Sequence, residues 1–174
     1  MKETIRYGLI LAVICIVASG LLAGMNALTQ TRIIAQAQLE EETALKEVMP
    51  FGEYFDPVKK GEEIIYYKVR NKQGEFIGVA FKASGKGYSS VIDTLVGLSR
   101  DGRINAIKIL NQNETPGLGA QVSGPSFTEQ FNHKNLPELS QVQAITGATI
   151  SSKAVIDSVQ AKLKEIQELI KNER

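Results

Sequence analysis

The hydrophobic rhythm changes several times along this chain. Between Arg6 and Arg32 there is no Asp, Glu, Lys or Arg, and the densest part of that stretch includes "LILAVICIVASGLLAGMNAL". As a helix, Tyr7–Thr31 would extend roughly 37 Å, enough to span a hydrocarbon core of about 30 Å. The pattern predicts an uncleaved membrane anchor. The apolar run exceeds the usual signal core, and no good small-x-small site follows it. Ile14 also fills the position before Cys15 where a lipoprotein signal has a small residue. The next stretch, "RIIAQAQLEEETALKEVM", is rich in helix formers and is ended by Pro50, predicting a stalk or a helix folded back on the domain. "FGEYFDPVKKG" has turn residues and no clear period, so it is read as a connection.

Two hairpins follow. "EIIYYKVR" and "EFIGVAFKA" flank "NKQG", and "VIDTLVGLS" and "INAIKIL" flank "RDGR". Alternating β-branched and aromatic residues around Gly-containing turns carry this expectation. In the second hairpin Ile104, Ile107 and Ile109 break strict alternation, which leaves the register open. The segment "NQNETPGLGAQVSGPS" has too much Gly and Pro within Pro116–Gly124 for a regular element. It is a surface loop, or a place where Gly117 and Gly119 let backbone approach a ligand closely. Finally, Val155, Val159, Leu163, Ile166 and Ile170 recur at helical spacing and trace one face of a closing helix. Ser151 or Ser152 would cap that helix, and Lys171 and Arg174 suit its C-terminal dipole. Four strands followed by a helix predict an α+β fold: an antiparallel-sheet domain with the C-terminal helix packed on it, behind an N-terminal transmembrane helix. The expected divisions are 1–31 anchor, 32–62 stalk and connection, and 63–174 the folded domain.

Composition narrows the chemistry. The 174 residues are 22% charged and 43% apolar with net charge +1, so nothing points to nucleic acid. One Cys and one His exclude an internal disulfide, and also a Cys₄ zinc site or iron–sulfur cluster held by this chain alone. His133 lies in the loop-like "FNHKNLP", and no metal ligand or catalytic residue is assigned. Any redox chemistry would need an organic cofactor. Charge also sets orientation: Lys2 and Arg6 precede the span, whereas Glu40, Glu41 and Glu42 follow it. The positive-inside rule puts the N-terminus in the cytoplasm and residues 32–174 outside. Gly20 and Gly24 form a small-xxx-small pair suited to a neighbouring membrane helix, although Gly is common in such spans.

The stretch "AITGATISS" carries hydroxyls at Thr146, Thr149, Ser151 and Ser152 just before the last helix. One hydroxyl suffices for a cap. A helix start with unpaired N–H groups also suits a phosphate, and Gly147 and Ala148 keep the approach uncrowded. The plainer reading is a tight turn and a cap.

"ITGATISSKAV" resembles the flavinylation motif of FMN-binding domains in the RnfG and NqrC subunits of bacterial membrane electron-transport complexes. "GKGYSSVIDTLVGLSRDGRINAIKILNQNETPGLGAQV" resembles the preceding part of the same domain. The resemblance covers about residues 64–165 plus the anchor, and the short chain is more similar to RnfG. It implies covalent FMN, held by a phosphoester on Thr149 and attached by a separate flavin transferase. It places the loop Glu114, Thr115, Pro116, Gly117, Leu118 and Gly119 near the flavin, with Tyr88 from the Gly-Tyr pair. In the family an Asp often precedes the modified Thr by six positions; here that position is Gln143. The residues agree on one point, since Cys15 lies in the membrane and His133 is the sole His, leaving a hydroxyl–phosphate link as the natural covalent option. Thr146 would then brace the turn or bond a phosphate oxygen. The function implied is electron relay through FMN in an Rnf-type ion-translocating ferredoxin:NAD oxidoreductase, beside other membrane and peripheral subunits, with no soluble substrate turned over by this chain alone. Rival readings are a stand-alone extracytoplasmic FMN electron-transfer protein and a non-redox sensor or scaffold of the same fold.

Overall fold

The computed structural model describes residues 2–172, as two compact units, Met1–Glu40 and Glu41–Arg174. Helix α1 (Lys2–Val48) begins in the first and ends in the second. Within it, Glu3–Gln30 is long and apolar enough to cross a membrane, and none of that window is buried. Ile5, Leu9, Leu21 and Leu28 are all exposed. A helix apolar on every side with no protein around it needs lipid or a partner helix. Thr29 is a polar residue near the end of that span, and its hydroxyl donates back to the Met25 carbonyl at 2.8 Å. No break separates the anchor from the following helix-forming stretch. Ala44, Leu45 and Val48, in its last turns, are buried in the second unit.

The second unit is built on one antiparallel meander in the order β1 (Tyr54–Lys60), β2 (Glu63–Arg70), β3 (Phe76–Lys86), β4 (Val91–Ser99) and β5 (Ile104–Asn111). The predicted hairpins correspond to β2–β3 and β4–β5. The strand β1 is a correction, because the pattern of "FGEYFDPVKKG" predicts only a connection. Pro57, charged residues and a register shift after Val58 hide its alternation. As the edge strand it tolerates a proline, which cannot donate to a ladder.

Alternation sends side chains to two faces. Val79, Phe81, Ala83, Ile92, Val96 and Leu98 meet helix α3 (Thr149–Asn172) through Val155, Val159, Leu163 and Ile166. Each such fully buried aliphatic contributes about 1.5–3 kcal/mol. Ile170, the last residue of the predicted stripe, is only partly buried. The side chains of Lys171 and Arg174 lie outside the described residues. On the other face Val69, Ala80 and Leu95 cover Ala44, Leu45, Val48 and Met49. The Tyr67 hydroxyl donates to the Glu41 carboxylate at 2.9 Å. Burial, and then that carboxylate, push the phenol up to about 12.

The irregular isoleucines have a cause. A register shift opposite Gly97/Leu98 leaves Asn105 as an extra residue in β5, so Ile104 and Ile107 both turn inward. Asn105 instead donates its amide to the Val48 carbonyl at 2.6 Å, satisfying an end group of α1. The Gly- and Pro-rich stretch is a second correction. It contains a 3₁₀ turn (Gly119–Ser123) and a short helix α2 (Pro125–Thr128), and two further 3₁₀ turns (Glu129–Phe131, Pro137–Gln141) follow. Val122, Phe127, Phe131 and Leu139 anchor these turns in the core. Thr94 is fully buried on β4, and its hydroxyl has no partner among the described residues.

Candidate functional site

The turn Ile145–Ser152 is locked from within. Gly147 has φ +82°, a left-handed conformation that favours glycine, and the Ala148 N–H donates to the Ile145 carbonyl at 2.9 Å. The Ser152 hydroxyl donates to the Ala148 carbonyl at 2.9 Å and accepts the Ile145 N–H at 3.0 Å. Helix α3 starts at Thr149, four residues earlier than a Ser152 cap would require. Neither Ser151 nor Ser152 is the cap, which corrects the expectation. Both are buried inside the first turn, whereas Thr146 and Thr149 are exposed. The Ser152 N–H donates to the Ala148 carbonyl in the α-helical pattern, and the N–H groups of Thr149, Ile150 and Ser151 precede that bond.

Ser151 has another partner. Its hydroxyl donates to Glu114 Oε2 at 2.6 Å. Glu114 is 5% exposed, yet its carboxylate is well supplied with donors. The N–H groups of Ser89 and Ser90 each reach Oε1 at 2.9 Å, and the Tyr88 N–H reaches Oε2 at 3.2 Å. Successive N–H groups converging in a turn make an anion-binding concavity. Burial pushes the Glu114 carboxyl up, but the Ser151 hydroxyl and the Ser90, Ser89 and Tyr88 N–H groups together hold it below the usual carboxylate value. Sequence reasoning misses Ser89 and Ser90. The small, hydroxyl-bearing "GYSS" turn is the available signal, but the resemblance points only to its Tyr88.

The two glycines of "ETPGLG" act differently. Gly117 has φ +76° with open space around it. Gly119 packs closely: a Cβ there would lie 2.7 Å from Ser151 Oγ and 2.8 Å from Glu114 Oε2. Its missing side chain makes room for the Glu114–Ser151 bond. Thr115 and Pro116 are exposed, and the Thr115 carbonyl accepts the Leu118 N–H at 3.1 Å.

These segments enclose a cleft of about 550 Å³ lined by Tyr88, Glu114, Thr115, Leu118, Gly119 and the residues from Gly147 to Ser151. That size is ordinary for a small-molecule site, about 300–1,000 Å³. Tyr88 (72%), Leu118 (50%) and Ile150 (56%) are exposed at it. Ile150 is a third residue that sequence reasoning does not single out. An exposed Thr149 at the open start of a helix, beside apolar walls, fits a ligand with a phosphate at one end and a flat aromatic ring system at the other. FMN has that shape. The wider groove of about 820 Å³ near Phe76 and Arg100 holds none of the predicted site residues.

Gln143 is exposed, and its N–H donates to Gln130 Oε1 at 2.9 Å. His133 is exposed with φ +61°, and no cluster of His, Cys, Asp and Glu able to hold a metal occurs among the described residues.

The family model for the FMN-binding domain matches residues 87–164, which include the whole cleft, and the RnfG N-terminal region model matches residues 1–48. The G subunit of the ion-translocating oxidoreductase complex of Methanosarcina acetivorans is 34% identical over 173 residues, covering 91% of this chain and 92% of that protein. The G subunit of the Na(+)-translocating ferredoxin:NAD(+) oxidoreductase complex of Acetobacterium woodii is 34% identical over 197 residues, covering 98% and 95%. A crystal structure of NqrC from Shewanella oneidensis has a TM-score of 0.48 at 18% identity, over 70% of this chain and 74% of that one. With an apolar N-terminal helix, an FMN-binding domain and relatives of one kind matched over nearly their whole length, this chain belongs to the RnfG family, the G subunits of ion-translocating oxidoreductase complexes.

Proposed function

We propose that this chain relays electrons through one FMN, held covalently by a phosphoester on Thr149, within an Rnf-type ion-translocating ferredoxin:NAD oxidoreductase. The observation that carries this reading is the exposed Thr149 hydroxyl on the locked turn at the start of α3, inside a cleft with apolar walls. When bound, FMN supplies the electron-transfer chemistry, and the chain supplies binding and orientation. Thr149 would fix the phosphate end, with the N–H groups at the start of α3 beside it. Tyr88, Leu118 and Ile150 would flank the ring, and Gly117–Gly119 would shape the loop beneath it. Thr146, exposed on the same turn, would reach a phosphate oxygen.

A flavin transferase would attach the cofactor, and the remaining subunits would supply donor and acceptor sites. The anchor 1–31 would hold the chain in the cell membrane, the segment 32–62 would serve as stalk and connection, and 63–174 would form the flavin domain. Lys2 and Arg6 favour a cytoplasmic N-terminus and an extracytoplasmic domain.

The test is covalent labelling of the full chain co-expressed with a flavin transferase. Wild type and Thr146→Ala are expected to fluoresce on a denaturing gel, Thr146→Ala at least in part, and Thr149→Ala to stay dark. A fluorescent Thr149→Ala chain would reassign the attachment site. A dark wild-type chain, with intact mass showing no added flavin, would reject covalent loading and make Gln143 the first position to restore to Asp.

A further inference from the structure

The buried carboxylate of Glu114 has no place yet in the relay. It joins segments far apart in sequence: the β3–β4 turn through Tyr88, Ser89 and Ser90, its own loop after β5, and the first turn of α3 through Ser151. Its backbone donors can give hydrogen bonds but cannot accept them. The surroundings favour the ionised form, because three N–H groups point at its two oxygens and only the Ser151 and Ser90 hydroxyls could accept from a protonated carboxyl. Among the described residues no ion pair neutralises it. Peptide and hydroxyl dipoles hold the charge, and Glu114 is among the residues that line the same cleft as Thr149. A buried charge held this way acts over a longer range than one in water, because little solvent screens it.

We propose that Glu114 is a positioning residue with two linked tasks: it clamps together the segments that form the cleft, and its fixed negative charge keeps the flavin at a lower reduction potential than a neutral group would. The inference rests on the reading of Thr149 as the attachment site. Reduction adds electrons to the ring system, and a nearby fixed anion opposes that gain. Replacing the carboxylate by an amide of nearly the same shape removes the opposition and raises the potential. Ser151→Ala separates the two tasks, since it breaks the clamp at α3 while leaving the charge in place.

The experiment uses the full chain in detergent, co-expressed with a flavin transferase, as wild type, Glu114→Gln and Ser151→Ala. Covalent loading is read first by in-gel fluorescence, and the potential is then read by absorbance during titration with dithionite as the electron source. Glu114→Gln is expected to titrate at a clearly higher potential than wild type. Ser151→Ala is expected to load less completely but titrate close to wild type. Equal potentials in wild type and Glu114→Gln overturn the inference, as do equal shifts in the two variants. If Glu114→Gln is not labelled, Glu114→Asp decides: labelling recovered at a potential near wild type supports the inference, and no recovery overturns it. An unlabelled wild type overturns the Thr149 reading and this inference together, whereas a labelled wild type with an unshifted Glu114→Gln overturns only the inference.

Discussion

Substituting alanine at Gly119 and at Gly117 should give unequal losses, for different physical reasons. At Gly119 the new Cβ would sit 2.7 Å from Ser151 Oγ and 2.8 Å from Glu114 Oε2, closer than real methyl groups come to oxygen. Overpacking of this kind costs about 1–3 kcal/mol. Pushing Ser151 away from Glu114 also weakens a charge-assisted bond worth about 1.5–3 kcal/mol. Since the shift relieves part of the clash, the two costs do not simply add, and a total of about 2–4 kcal/mol is expected. At Gly117 the space is open, so only the left-handed backbone matters. That penalty is about 1–2 kcal/mol. It is offset by about 0.4–1 kcal/mol because alanine narrows the unfolded ensemble, leaving a net loss of about 1 kcal/mol. The assay is urea unfolding of the detergent-solubilised full chain, followed by tyrosine fluorescence because the sequence has no Trp. With a slope of about 1.5 kcal/mol/M, the midpoint should fall by roughly 1.3–2.7 M for Gly119→Ala and roughly 0.7 M for Gly117→Ala. Adding Ser151→Ala to Gly119→Ala removes the nearest clashing atom, so the double variant should lose about 1 kcal/mol less than the sum of the singles. An equal or smaller loss at Gly119 than at Gly117, or strict additivity with Ser151→Ala, would refute the packing account.

Other outcomes follow from the same contacts. Thr94→Val replaces a fully buried, unpartnered hydroxyl with a methyl group, and should raise stability by about 1 kcal/mol and the unfolding temperature by about 3 °C by calorimetry. The Glu114 carboxyl is held below its ordinary value of 4.5 in the folded chain, so the unfolded chain binds the proton more tightly. Its contribution is therefore complete above that value and lost as pH falls through the lowered one, and urea midpoints of Glu114→Gln should decline less steeply with acid than those of wild type. A reporter fused after Arg174 should be active outside the cytoplasm. Activity confined to the cytoplasm would reverse the proposed orientation and remove the relay from that side.

Local pattern makes some of this molecule legible and hides the rest. The strands β2 to β5 are readable because one or both of their faces are buried, which leaves regular apolar positions. The edge strand β1 buries little, and Pro57, Lys59 and Lys60 look like a connection when its pairing to β2 is unknown. The start of α3 is misplaced for a related reason. Hydroxyls are strong cap signals, yet Ser151 and Ser152 direct theirs to Glu114 and to the Ile145–Ala148 turn. The Glu114–Ser151 bond links residues 37 positions apart, and no spacing rule operates at that range. "GATISS" and "ETPGLG" each stand out separately in the sequence. Their direct contact, and the part played in it by the missing Gly119 side chain, require the fold.

The order of the strands bears on when the site can exist during synthesis. Each strand of the meander pairs with its predecessor, so the sheet can assemble from nearest neighbours as the chain emerges. Helix α3 comes last, and it brings the other half of one core face together with Ser151 and Thr149. Until it docks, Glu114 has the Tyr88–Ser90 turn but not its closest partner, and the cleft has no second wall. Thr149, the proposed attachment residue, thus reaches its cleft in the same event that closes the core, so the proposed loading of FMN there would have to wait for a completed fold.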